Sequence, residues 1–244
     1  MRQALCWVLL IVFSTHVFAQ DSAARPSATS EAGFVPIFDG RSLTGWSAVP
    51  ENTAADWSVR DGAIVGIGSQ DRQIYLVWKD HELADFELKF QYRLLTDGNT
   101  GVEIRANPDA TLRRPFQGYH VDIGHVDIGP NVLGAWDFHF GKQRREHACP
   151  RGTSIVIDEQ DQARSTVIAN SLSPQDVRVR DWNDVHVVAK GNHGSFSING
   201  KFASAFTDNF RPQPFARGAI GLQLHERGMR VEFRNLRIKS IGKD

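Results

Sequence analysis

The sequence predicts an all-β protein built from two packed antiparallel sheets. Short runs of strictly alternating apolar and polar residues recur along the chain, tight-turn dipeptides separate them, and no segment carries a helical stripe over three turns. At 244 residues the chain is long enough for one large β domain with its own core.

The chain opens with the three parts of a secretory signal: Arg2 in a basic start, the apolar run Ala4 to Phe13, and Val17-Phe18-Ala19 as cleavage positions. The run is shorter than the roughly 20 residues a spanning helix needs. Residues 1–19 are therefore expected to be removed, leaving a secreted or periplasmic protein with no membrane insertion. Cys6 leaves with the signal, so Cys149 is alone in the mature chain and no intrachain disulfide can form. It has no catalytic-cysteine signature and reads as a bystander thiol. Residues 20–33, rich in Ser, Ala, Thr and Glu, read as a disordered leader, and a single domain is expected over 34–241.

Within that domain Phe86, Leu88, Phe90, Tyr92 and Leu94 alternate with Glu87, Lys89, Gln91 and Arg93, giving a strand with one buried face. Val102 to Asn107, Tyr119 to Ile123, Val185 to Lys190, Ser195 to Ile198, Ala219 to His225 and Val231 to Lys239 repeat the pattern. Asp39-Gly40, Asp61-Gly62, Asp97-Gly98-Asn99, Asn199-Gly200 and Arg227-Gly228 supply turns, and Ser197 to Phe202 is the clearest hairpin. Val126 to Arg180 is the least regular stretch and reads as a long connection of the kind that carries function.

Net charge excludes some partners. The 28 basic and 28 acidic residues cancel, with no long run of one sign, so neither nucleic acid nor a membrane surface is expected as a partner. P-loop, nucleotide-fingerprint and G-x-S-x-G signatures are absent from the sequence.

Alternation also sorts polar side chains onto shared faces. Glu103, Arg105 and Asn107 fall opposite the core set of their strand, His120 and Asp122 do the same in the next, and Gly221, Gln223 and His225 in a third. Solvated strand faces usually carry Lys, Thr, Ser and Glu rather than His, Asp and Arg together, and Gly221 leaves room above the sheet. His120 with Asp122 could supply an N/O pair for a divalent cation, or a base oriented by a carboxylate; Asp127, Asp137 and His139 lie near enough in sequence to join. Trp46 and Trp136 are candidate stacking platforms for sugar rings.

Longer motifs then resemble one family over nearly all of Phe34 to Ile241. Phe38-Asp39-Gly40-Arg41-Ser42-Leu43-Thr44-Gly45-Trp46 is similar to the F-[ND]-G-x-x-L-x-G-W opening of the 3-keto-disaccharide hydrolase domain, and Trp57 to Gly66 to its W-x-V-x-D-G-x-L-x-G hairpin. Gly98 to Val102, Trp182 to His193 and Val231 to Ile238 follow in the family's order. The resemblance implies a concanavalin A-like jelly-roll sandwich. Arg105 matches the arginine ending the G-N-[ST]-G-V-x-x-R strand. Gly118 to Gly124 resembles G-Y-Q-x-D-I-G with His120 at the Gln position, Gly134 to Asp137 resembles the next strand, Arg144 and Arg145 its basic pair, and Gln223 with His225 its G-L-Q-x-H. His120, and the segment Phe138 to Gln175, depart from the family's pattern.

Cleavage of glycosides already oxidised at carbon 3 is the activity so implied. The ketone acidifies the hydrogen on carbon 2, so a base can remove it, the enolate can expel the group on carbon 1, and water completes hydrolysis. His120 or His225 is expected as base or acid, and Arg105 as stabiliser of the enolate or binder of sugar oxygens. Asp122 and Glu103 are expected as metal ligands or orienting carboxylates, with His120 a further ligand. Glu103, Gln223, Trp136, Asp137 and Arg145 would bind the carbohydrate substrate, and a divalent metal cation is a possible cofactor that would polarise the ketone. A non-catalytic lectin-like carbohydrate-binding module is the alternative on the same fold.

Overall fold

A computed structural model describes residues 31–124, 132–142, 144–211 and 215–242. The signal-like segment, residues 20–30 and Asp127 lie outside the described residues. The strands in chain order are β1 (Val35–Pro36), β2 (Trp46–Val49), β3 (Trp57–Arg60), β4 (Ala63–Ile67), β5 (Ile74–Leu83), β6 (Phe86–Leu94), β7 (Gly101–Pro108), β8 (Phe116–Asp122) and β9 (Trp136–His139). They continue as β10 (Ala148–Cys149), β11 (Thr153–Ile157), β12 (Ala163–Val167), β13 (Asn183–Lys190), β14 (His193–Ile198), β15 (Lys201–Asp208), β16 (Gly218–Leu224) and β17 (Arg230–Ser240).

Two sheets form. The larger has ten strands in the order β12-β11-β15-β14-β13-β6-β17-β4-β3, with β1 added on β17, and the smaller has seven in the order β10-β9-β8-β7-β16-β5-β2. All pairings are antiparallel except β11 on β15. Asn199 and Gly200 both take positive φ, 51° and 77°, so the β14–β15 hairpin closes through the tight turn that Asn-Gly favours.

The sheets enclose one main core. Phe86, Leu88, Phe90 and Tyr92 of β6 belong to the same apolar cluster as Val102 and Ile104 of β7, Tyr119 and Val121 of β8, Trp136 of β9, and Ile220 and Leu222 of β16. Each such side chain contributes about 1.5–3 kcal/mol by leaving water. Along β6 burial alternates residue by residue, as its sequence predicts. In β7, β8 and β16 it does not: nearly every residue is buried on both sides of the sheet. The outer face of the smaller sheet is therefore covered.

Part of the cover is the turn between β7 and β8. Asp109 gathers it, accepting from the backbone N–H groups of Thr111, Arg113 and Arg114 and from the side chains of Thr111 and Gln117. Arg113 and Arg114 are tied to Glu146, and Phe116 meets the Tyr75 ring edge-on at 5.4 Å. The segment thus folds back across the sheet toward β5.

Three expectations are corrected. Val126 to Arg180 is not one irregular connection, because its described part contributes β9 to β12; β12 is exposed throughout, so no buried face marks it in the sequence. Trp136 and Trp46 are core residues rather than platforms: Trp136 is wedged edge-on against Phe196 and Phe206, and the Trp46 indole N–H donates to the Ile37 carbonyl. Arg105 does not share the face of Glu103. The β7–β8 register slips between Ile104 and Asn107, and Arg105 takes a φ of 49°. Its guanidinium instead donates to the carbonyls of Ala84, Gly191 and Phe215 and to Asp85. Ala84 lies in the link between β5 of the smaller sheet and β6 of the larger, and Gly191 in the β13–β14 turn of the larger, so the arginine ties that link and that turn to a strand of the smaller sheet.

This clamp is a stability element. Arg105→Met leaves three carbonyls without their donor in a buried place, and its unfolding midpoint in urea is expected to fall by the equivalent of about 3 kcal/mol.

Candidate functional site

The covered face of the smaller sheet carries side chains that such a place rarely holds. Glu103 of β7, His120 and Asp122 of β8, His139 of β9, and Gln223 of β16 are all buried, at 0–2% exposure. Register brings them together: Glu103 lies opposite His120, His120 opposite Asp137, and Gly118 opposite His139.

One carboxylate oxygen organises the group. Glu103 Oε2 is 3.0 Å from His120 Nδ1 and 2.8 Å from His139 Nδ1, and the two rings stack at 4.9 Å with 21° between their planes. An ionised carboxylate can only accept, so each Nδ1 carries the proton that faces it. Burial alone would raise the Glu103 carboxyl, but the charge and hydrogen bonds of the two histidines bring it down to about 2. Burial lowers the His120 imidazole below its ordinary value, against the pull of Glu103, and so favours the neutral ring.

Two glycines make the room. A Cβ on Gly101 would overlap the His120 ring, and one on Gly118 would come within 2.8 Å of Glu103 Oε1. Gly221 does not leave a gap as expected, because the Tyr75 ring lies over it. Tyr75 Oη accepts from Gln223 Nε2 at 3.0 Å, and burial with the nearby Glu103 charge keeps the phenol protonated.

Asp122 is the acid of the group. Burial first, then the charge of Asp137 and a hydrogen bond with it, hold the Asp122 carboxyl well above its usual range. Asp137 is the solvent-facing partner. Four buried polar atoms on this face, Glu103 Oε1, His120 Nε2, Asp122 Oδ1 and Gln223 Oε1, have no hydrogen-bond partner. Each costs about 1–3 kcal/mol to leave so, which a fold retains where something else is to be bound. His120 Nε2 and Asp122 Oδ1 lie 3.8 Å apart.

A divalent cation fits this chemistry through a different set from the expected His120 and Asp122. Among the described residues Glu103, His120 and His139 each offer one ligand atom, all within 4.8 Å of one another. Its unsatisfied atoms are those a ligand would complete.

Other expected residues stand apart. His225 follows the end of β16, is half-buried, and its Nδ1 faces Glu226 at 2.9 Å; it lines an open cleft of about 650 Å³ with Val49 of β2, residues just before β5 and the β7–β8 turn. Arg145 is exposed. Its neighbour Arg144 is a structural tie, bound bidentately to Asp208, by Nε to Asp161, and stacked on Phe140 and Phe210. Cys149 is buried, which pushes its thiol up to about 11, in keeping with a bystander. Tyr75 was hidden from sequence reasoning by the apolar run Ile74 to Trp78.

The raised Asp122 carboxyl has a measurable consequence. An unfolded chain ionises this group above about pH 4, whereas the folded chain keeps it protonated, so its contribution falls as pH rises toward the folded value. Asp122→Asn removes that penalty. Its melting temperature is expected to exceed that of the parent at pH 8 by more than at pH 4.

Comparison with known proteins places the fold. A candidate glycosyl hydrolase from Parabacteroides distasonis is 20% identical over 86% of this chain and 94% of its own, with a TM-score of 0.57. A second from the same organism is 18% identical over 85% and 99%, at 0.54. A Bacillus subtilis protein of unknown function with a galectin-like fold is 12% identical over 85% and 94%, at 0.52. At these identities the likeness concerns the sandwich alone. No curated protein sequence matches. The family model of the 3-keto-alpha-glucoside-1,2-lyase-like domain matches residues 33–239, and the chain belongs to that family.

Proposed function

We propose that this domain cleaves 3-keto glycosides by elimination across carbons 1 and 2. The observation that carries the reading is His120. It is buried and favoured neutral, its Nδ1–H is held by Glu103, and its Nε2 lone pair has no protein partner. A base of this kind can take the hydrogen on carbon 2, which the neighbouring ketone acidifies. Glu103 then stabilises the imidazolium that forms. Asp122, already protonated, gives its proton to the glycosidic oxygen as the bond to carbon 1 breaks, and the exposed Asp137 resupplies it from solvent. Gln223 and Tyr75 supply an amide oxygen and a phenolic O–H for the sugar hydroxyls. Addition of water to the unsaturated keto sugar completes net hydrolysis.

Glu103, His120 and His139 would hold a divalent cation, which when bound would polarise the ketone and stabilise the enolate oxygen.

Substrate choice is the decisive test. A 3-keto glycoside is expected to release its aglycone, whereas the same glycoside without the ketone has no acidic hydrogen on carbon 2 and is expected to survive. Cleavage of both would point to an oxocarbenium mechanism, and binding without cleavage of either to a lectin-like module. His120→Ala is expected to lower turnover of the keto substrate about 10²–10⁴-fold. A chelator that abolishes turnover, with recovery on adding a divalent cation, assigns the cation a part in the reaction; turnover indifferent to chelator leaves the elimination to His120 and Asp122 alone.

Export is part of the proposal: residues 1–19 direct the domain out of the cytoplasm. Mass spectrometry of the exported protein is expected to show a mature chain beginning near Gln20, and an intact Met1 would contradict this.

A further inference from the structure

The open cleft beside the buried group has a composition that the elimination reading does not use. Its walls bring Arg72, before β5, together with Arg113 and Arg114 of the β7–β8 turn, and Val49, Pro50 and Pro115 supply an apolar side. At about 650 Å³ it falls within the roughly 300–1,000 Å³ usual for small-molecule sites. A disaccharide unit would fit it.

Its charges do not cancel. Arg113 and Arg114 share one carboxylate, Glu146, while Asp71 at the rim is engaged by Arg227 at 3.2 Å. Arg72 is exposed and has no ion-pair partner among the described residues. Three guanidinium groups thus face one cavity with a single shared carboxylate between them. Arg113 and Arg114 are also held in place, because Asp109 binds their backbone N–H groups and Glu146 fixes both side chains. Forks of this kind match the paired oxygens of a carboxylate or a sulfate.

The cleft adjoins the buried group. Val49 of the cleft wall pairs with Tyr75 in the sheet, Phe116, next to Pro115 of the wall, packs on the Tyr75 ring, and His225 at the wall follows Gln223 by two residues. We propose that this cleft receives an anionic substituent on the sugar next to the cleaved bond, a carboxylate or a sulfate ester, so that the protein favours acidic glycosides. The assignment rests on the elimination reading for where the bond is cut, but the anion site stands on its own geometry.

Binding separates the two. Calorimetry on the full protein would compare a disaccharide carrying a uronic acid, the same disaccharide with its carboxyl reduced to an alcohol, and a form bearing a sulfate ester, none of them oxidised at carbon 3. The uronate or the sulfate is expected to bind at least about 10-fold more tightly than the neutral form in low salt, with the advantage shrinking as salt screens the charges, and the tighter of the two names the anion. Arg72→Gln and, separately, Arg113→Gln are expected to remove most of that advantage while leaving the affinity for the neutral disaccharide unchanged. Equal affinity for charged and neutral forms overturns the proposal, as does an anionic preference that survives both replacements. An anionic preference in a protein that cleaves no 3-keto glycoside sustains the cleft assignment and overturns the elimination reading; cleavage without the preference does the reverse.

Discussion

A single oxygen atom, Glu103 Oε2, holds two imidazoles in a place from which water is excluded, and much of the smaller sheet is arranged around that fact. An isolated buried carboxylate would be protonated or forced out to solvent. Here two N–H donors keep it charged, and the charge in turn fixes which nitrogen of each ring is free. The neighbouring acid obeys the opposite rule. Asp122 has a carboxylate for company rather than a donor, so it keeps its proton. Two acids on adjacent strands are thus sent in opposite directions by what stands beside them.

The scaffold supports this at a distance. The two sheets share a broad apolar core, Arg105 ties their ends, and the Asp109-centred turn roofs part of the outer face. They set the spacing and dryness on which the polarity of the group depends.

Much of this was legible in the chain. Period-two alternation gives the strands, and parity alone puts Glu103, His120, Asp122 and Gln223 on a common non-core face. Trp136 was read by its chemical type as a platform, and the alternation of β9, which buries Trp136 and Phe138 in the core, was not applied to it. Arg105 was not readable, because its inward turn depends on a positive φ at a register slip. Nor was the cover: whether an outward residue meets water is decided by a turn elsewhere in the sequence, so a solvated Glu103 and a buried one look alike. His225 was misplaced for a simpler reason. The strand ends at Leu224, and alternation has no authority beyond it.

Gly101 and Gly118 lend the functional side chains their floor, each standing where a larger residue would occupy the space of His120 or Glu103. The unit that could be inherited or engineered is therefore not a set of polar residues but a set of polar residues with two missing methyl groups beneath them. Grafting Glu103, His120 and His139 onto another sandwich whose strands carry ordinary side chains at those two positions would move the letters without the vacancy they occupy. Conversely, an alanine at either glycine would displace the imidazole or the carboxylate while every functional residue remained in the sequence, so a comparison confined to those residues would judge such a variant intact.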